Sequence, residues 1–131
     1  MAEIFTLDTF SSTSGHLTVY KNTLPSEVKR VFYIYGAGEQ TRGGHRHHKA
    51  WNSLICVAGR CRICVHDGER EIDYVLDSPT LCLVLEPKDW HVMHEFSADA
   101  VLLVLSNEPY DLADYIDEPY PDCRYVQMTN Q

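Results

Sequence analysis

Leu54-Ile55-Cys56-Val57-Ala58-Gly59-Arg60-Cys61-Arg62-Ile63-Cys64-Val65-His66-Asp67-Gly68-Glu69 reads as strand, turn, strand and turn in immediate succession. Cys61, Ile63 and Val65 alternate with Arg62, Cys64 and His66, the period of two that gives a strand one wet and one dry face. The run 54–58 is apolar at every position, which predicts a strand covered on both sides. Ala58-Gly59-Arg60 supplies the first turn, and Asp67-Gly68 is a strong hairpin signal. Working outward, strand patterns return at 17–20, 31–35, 71–76, 81–85, 91–96 and 101–105, with Asp77-Ser78-Pro79-Thr80 as a further turn. One short helix is expected over 110–116, after Pro109. Many short strands at close spacing predict one all-β domain over 1–131, a sandwich or closed double-sheet barrel. The mouth of such a barrel can hold a ligand.

Composition narrows the setting. A hydrophobic fraction of 44% belongs to a folded chain. No apolar run approaches the ~20 residues of a membrane helix, and no signal-like segment opens the chain, so a cytoplasmic protein without membrane contact is expected. The cysteines agree with that compartment. Cys56, Cys61, Cys64 and Cys82 lie in strand-like runs as small hydrophobes. Cys61-Arg62-Ile63-Cys64 has the C-x-x-C spacing, but on a strand its two thiols face opposite sides, and no second pair completes a zinc site. A net charge of -8 argues against nucleic acid. Ten of the eleven Lys and Arg fall between Lys21 and Lys88, whereas 108–122 holds six acids and no base. Positive charge gathered in one part of an acidic chain suits a small phosphorylated ligand. The acidic stretch itself reads as solvated.

That positive charge surrounds Arg42-Gly43-Gly44-His45-Arg46-His47-His48-Lys49. On a strand, His45 and His47 share a face, flanked by Arg42 and Lys49. With His91 they would offer three imidazoles to a metal, as barrels of this kind often do. The carboxylate that commonly completes such a set is missing, because positions four and five after His47 are Trp51 and Asn52. The histidines therefore read better as acid and base. A reaction that takes a proton beside a ketone and returns it one carbon away needs such a base. It also needs a donor where charge develops on oxygen, which Arg42 or a second, protonated histidine would supply. Trp90-His91-Val92-Met93-His94 by itself reads as a core strand.

Taken together, the segments 29–34, 42–47, 54–59, 90–97, 101–105 and 110–116 resemble, in order and spacing, the cupin-fold sugar 3,4-ketoisomerases acting on dTDP-4-keto-6-deoxyglucose (the WxcM-like family). The signatures are R-G-x-H-x-H at Arg42–His47, W-H-x-M at Trp90–Met93 and Y-D-x-x-D-Y-I at Tyr110–Ile116. The resemblance implies a cupin-type jelly-roll barrel with one short C-terminal helix. It implies a dimeric isomerase, free of metal and cofactor, that moves a keto group from C4 to C3 through an enediol. The product is a precursor of 3-amino-3,6-dideoxy sugars. Carried over by position, His47 and His45 are the catalytic pair, with His47 shuttling the proton and His45 assisting at the oxygens. Arg42, Arg30, Tyr33 and His91 line the substrate site. The chain departs from the family at Ser14-Gly15-His16-Leu17, where an Arg-Gly pair usually precedes the leucine, and at Trp51-Asn52, where Glu-Gln is frequent. Two other readings use the same residues. One is a nucleotide-sugar 3,5-epimerase, and the other is a non-catalytic barrel that binds a metal or a sugar nucleotide.

Overall fold

A computed structural model describes residues 1–21 and 23–125 of the chain. The first strands are β1 (Glu3–Thr6), β2 (Thr9–Ser12), β3 (Gly15–Thr18) and β4 (Arg30–Tyr35). Then come β5 (Arg42–His47), β6 (Asn52–Ala58), β7 (Cys61–His66) and β8 (Glu71–Leu76). The last are β9 (Leu81–Leu85), β10 (Trp90–His94), β11 (Val101–Ser106) and β12 (Tyr115–Ile116). One sheet runs in the order β1-β9-β6-β11-β4 and the other in the order β12-β5-β10-β7-β8, while β2 and β3 form a separate hairpin. All the pairings are antiparallel. The strands anticipated from the period of two are all present. The short β1 and the wholly exposed β2 carry no such pattern and are additions.

The core lies between the two sheets. Leu54, Cys56, Leu83, Leu85, Leu102 and Val104 from one sheet meet Cys61, Ile63, Val65, Leu76 and Met93 from the other. Each fully buried aliphatic side chain contributes roughly 1.5–3 kcal/mol of transfer free energy. The β6 strand is buried on both faces as its composition requires, but only from Asn52 to Cys56. Its second face, at Ile55, is covered by Tyr20, Leu24 and Val28. Cys61 and Cys64 do face opposite sides, with Cys61 in the main core and Cys64 against Trp90, Val92 and Cys123 under the C-terminal segment. All five cysteines are buried.

The helix expected over 110–116 is a single 3-10 turn, Leu112–Asp114, capped by Asp111, whose side chain accepts from the Ala113 N–H at 3.0 Å. The residues that would have extended it are taken by the sheet. Tyr115 pairs with His47 and Ile116 with Arg46. No described helix is long and apolar enough to cross a membrane.

Candidate active site

Three neighbouring strands of the second sheet carry the site. Register places His91 opposite His45 and Tyr115 opposite His47, so β10, β5 and β12 present four rings to one face. The His45 ring centroid lies 5.2 Å from that of His47, 5.0 Å from His91 and 4.7 Å from Tyr115. His47 stands 4.7 Å from Tyr115 and 6.3 Å from His91. Arg46, the residue between, turns to the other face and stacks over Tyr120 at 4.5 Å. Gly43 makes this spacing attainable. It has φ +85, and a Cβ there would stand 2.9 Å from the His91 carbonyl oxygen, so a side chain would push β5 away from β10.

The rings look into a cavity of ≈ 200 Å³ closed below by Leu54, Met93 and Val104. Arg30, Arg42, Asn52, Asp111 and Tyr115 complete much of its wall. Of the residues expected here, His45, His47, His91, Arg30 and Arg42 are all present. Tyr33 is not. Along β4 the side chains alternate, so Arg30, Phe32 and Ile34 line the cavity while Tyr33 is 62% exposed on the opposite face, stacked on Tyr35 at 6.0 Å. The aromatic ring that β4 gives to the cavity is Phe32.

Asp114 is the residue that sequence reasoning left in the solvated acidic stretch, and its placement corrects that reading. It is 9% exposed and has three donors. His47 Nδ1 lies 3.0 Å from its Oδ2, the Lys49 N–H donates to Oδ1 at 2.8 Å, and the Ala50 N–H donates to Oδ2 at 3.3 Å. A carboxylate can only accept, so His47 carries its hydrogen on Nδ1 and leaves Nε2 as a lone pair. No local signal marks it, because the backbone donors it accepts from belong to Lys49 and Ala50, far away along the chain. His91 is oriented in the same way, its Nδ1 donating to the Asp89 carbonyl at 3.0 Å.

All three imidazoles are held neutral. Burial lowers His45 to about 4, helped by the charge His47 would carry. Burial lowers His91 to about 3, with His45 adding to the effect. His47 is lowered by burial too, but the Asp114 charge and hydrogen bond oppose the shift. The donor once expected from a protonated histidine is therefore not an imidazolium at neutral pH. Arg30 is the fixed cation. Its guanidinium stacks on Phe32 at 4.4 Å and Tyr110 at 5.0 Å, and Nη1 donates to the Tyr115 hydroxyl at 3.2 Å. Among the described residues no three His, Cys, Asp or Glu side chains are grouped so as to hold a metal ion. Asn52, at the position where a liganding carboxylate was looked for, lines the cavity as a neutral amide.

A double-sheet β barrel with neutral imidazoles and a guanidinium at its mouth is a proton-transfer site of the cupin type. The family described as "FdtA: WxcM-like, C-terminal" matches residues 1–127, and the chain belongs to that family. It is 40% identical over 108 residues to the TDP-4-oxo-6-deoxy-alpha-D-glucose-3,4-oxoisomerase of Aneurinibacillus thermoaerophilus, covering 82% of this chain and 78% of that one. Among solved structures, a point variant of the 3,4-ketoisomerase QdtA from Thermoanaerobacterium thermosaccharolyticum, in complex with TDP-4-keto-6-deoxyglucose, superimposes with a TM-score of 0.84. It shares 32% identity over 89% of this chain and 87% of its own. The TDP-quinovose 3,4-ketoisomerase WlaRB of Campylobacter jejuni matches with a TM-score of 0.84 and 31% identity over 99% of this chain and 98% of its own.

Proposed function

We propose that this enzyme isomerises a dTDP-linked 4-keto-6-deoxyhexose to its 3-keto form. The observation that carries the reading is the His47–Asp114 pair, which aims a neutral Nε2 into a cavity of ≈ 200 Å³. That volume is below the roughly 300–1,000 Å³ of sites for drug-sized ligands. It suits a single sugar ring, with the nucleotide lying outside past Arg42. His47 removes the C3 hydrogen, the electron pair forms the C3–C4 double bond of an enediol, and the same imidazolium returns the proton at C4. His45 and His91, neutral and packed on the sugar side, keep water and competing cations away from that step. The ketone delivered to C3 is the group an aminotransferase requires, which supports a place upstream of 3-amino sugars. A nucleotide-linked substrate fits a cytoplasmic enzyme.

Two exposed apolar surfaces support the homodimer. The β2–β3 hairpin sets Phe10, 64% exposed, opposite Leu17, 60% exposed, and two strands alone are marginal in water. The edge strand β4 presents Val31, Tyr33 and Tyr35 on its outer face. A second copy covering these surfaces would give Tyr33 a role at the interface.

Proton NMR of the enzyme with dTDP-4-keto-6-deoxyglucose in D₂O tests the reading. A 3-keto product with deuterium at C3 or C4 is the expected result. Deuterium at C3 and C5 with the ketone unmoved would instead identify an epimerase, and unaltered substrate would point to a binding protein.

A further inference from the structure

The turn between β9 and β10 is Glu86-Pro87-Lys88-Asp89, and its backbone reaches every histidine of the site. The β5–β10 register ends with His45 opposite His91. Beyond that pair the turn takes over, and three successive carbonyls each tie down a different part. The Pro87 carbonyl accepts the His47 backbone N–H at 2.8 Å. The Lys88 carbonyl accepts the Tyr120 hydroxyl at 2.8 Å, and the Tyr120 ring carries Arg46, the residue between His45 and His47. The Asp89 carbonyl accepts His91 Nδ1 at 3.0 Å. The placement of the rings therefore depends on four residues that do not line the cavity. Asp89 closes those four into a fixed shape. Its N–H donates to the Glu86 carbonyl at 3.1 Å, and the Glu86 N–H donates back to Asp89 Oδ2 at 2.8 Å. Pro87 stands where its fixed φ suits a turn. Asp89 is 0% exposed, and its Oδ1 has no donor among the described residues. Burying a carboxyl group with one oxygen unpaired is costly, so the bond made by the other oxygen carries the weight.

We infer that Asp89 is a positioning residue for the reaction: its carboxylate closes the Glu86–Asp89 turn, and the carbonyls of that turn set the relative placement of His45, His47 and His91. The inference rests on the cavity being the isomerase site, and it holds whichever ring moves which proton. Asp89 touches no substrate and acts through the backbone. A displacement of about 1 Å between reacting groups costs up to ~100-fold in rate, so loosening the turn falls on kcat. Substrate affinity is spread over Arg30, Arg42 and the rest of the wall, so KM is little affected.

Asp89→Leu keeps the outline of the side chain and removes the acceptor, whereas Asp89→Asn keeps one oxygen for the Glu86 N–H. Wild-type enzyme is first assayed with dTDP-4-keto-6-deoxyglucose, which tests the isomerase reading by itself. With Asp89→Leu, assayed well below its Tm, kcat is expected to fall about 30- to 100-fold with KM within about threefold. Asp89→Asn should stay within about fivefold of wild type, because the turn still closes. A second signal needs no turnover and so tests the turn even if the isomerase reading fails. Nitrogen-15 NMR of His91 should show a single tautomer, with its hydrogen on Nδ1, in wild type and Asp89→Asn. A mixture of both tautomers is expected in Asp89→Leu. A lower Tm with an unchanged His91 tautomer, or equal falls in kcat for the two variants, would overturn the inference and leave Asp89 a structural cap. Should Asp89→Leu fail to fold, Pro87→Gly loosens the same turn and leaves every side chain of the site in place. There kcat should fall about three- to tenfold with KM unchanged, and a kcat equal to wild type counts against the turn.

Discussion

Replacing Asp114 with asparagine removes one acceptor oxygen from a carboxylate that receives three donors. Oδ1 takes the Lys49 N–H at 2.8 Å, and Oδ2 takes the Ala50 N–H at 3.3 Å and His47 Nδ1 at 3.0 Å. Asparagine has a single oxygen, so its NH₂ must face either the Lys49 N–H or His47. The first arrangement sets two donors against each other at a buried position. The second turns His47 over, placing its hydrogen on Nε2 and its lone pair on Nδ1, away from the cavity. Losing a buried, charge-assisted hydrogen bond costs about 1.5–3 kcal/mol. For a chain of this size that is a fall of roughly 5–15 °C in Tm. Catalysis suffers more, because the wrong tautomer of a catalytic histidine lowers kcat by up to ~10⁴-fold in the serine-protease triad. We expect a loss of at least ~100-fold in isomerisation of dTDP-4-keto-6-deoxyglucose. Exchange at C3 should fall in step with it, because both begin with His47. NMR in D₂O on variant enzyme whose folding is checked by circular dichroism reads all three quantities. Activity within about tenfold of wild type would show that the carboxylate does not set the His47 tautomer.

Three other expectations follow from the geometry. Below pH 6.5 an unfolded histidine takes up a proton that folded His45 resists until about 4 and folded His91 until about 3. His47 is shifted the same way, so these groups lose stability as pH falls. Asp89, pushed up to about 6 by burial, binds its proton earlier in the fold and works the other way below that value. With three groups against one, Tm should decline from neutral pH toward about pH 5, and a Tm that rises over that interval contradicts the neutral cluster. The acid limb of kcat should lie below the ordinary imidazole value, which a pH–rate profile from initial velocities reads directly. Gly43→Ala meets the His91 carbonyl at 2.9 Å with φ +85, and about 2–3 kcal/mol of stability should be lost together with activity. Thermal melting tests this, and an unchanged Tm would mean that β5 and β10 separate freely. Phe10→Asp with Leu17→Asp should yield monomer by sedimentation velocity, and a dimer that persists would show that the hairpin is not the contact.

Much of the fold was legible because a strand's period of two survives in a short sequence. The segments 31–35, 61–66, 71–76, 81–85 and 101–105 show it, and their observed bounds fall within a residue of the pattern. What sequence could not show depends on the partner strand. The run 110–116 has helical composition, but an unpaired edge of β5 recruits Tyr115 and Ile116, and pairing outweighs a propensity that a single turn cannot express. The face of β4 was equally hidden. Arg30, Phe32 and Ile34 alternate with Val31, Tyr33 and Tyr35, and both sets are mostly apolar, so neither declares itself as the inner one. Tyr33 was placed in the cavity by resemblance and lies outside it by register. Asp114 was missed for a related reason. Its value comes from backbone N–H groups of residues 49 and 50, more than sixty positions away, and no local pattern records them.

The three imidazoles are alike in sequence context and unlike in what holds them, and that asymmetry supports His47 as the proposed base. Each has one nitrogen tied to the protein, to a carboxylate in His47 but to backbone groups in His45 and His91. A carbonyl fixes a tautomer and offers no counter-charge to an imidazolium. Asp114 does both. When a proton arrives, His47 is therefore the ring on which it is stabilised. Its charge then lowers His45, 5.2 Å away, and His91, 6.3 Å away, further still. The cluster accepts one proton and resists a second. A shuttle between adjacent carbons needs that behaviour, since a second proton on His45 or His91 would be a competing donor to the enediol from another side. On the proposed reading, the two histidines tied only to backbone keep the transfer confined to His47 by remaining neutral beside it.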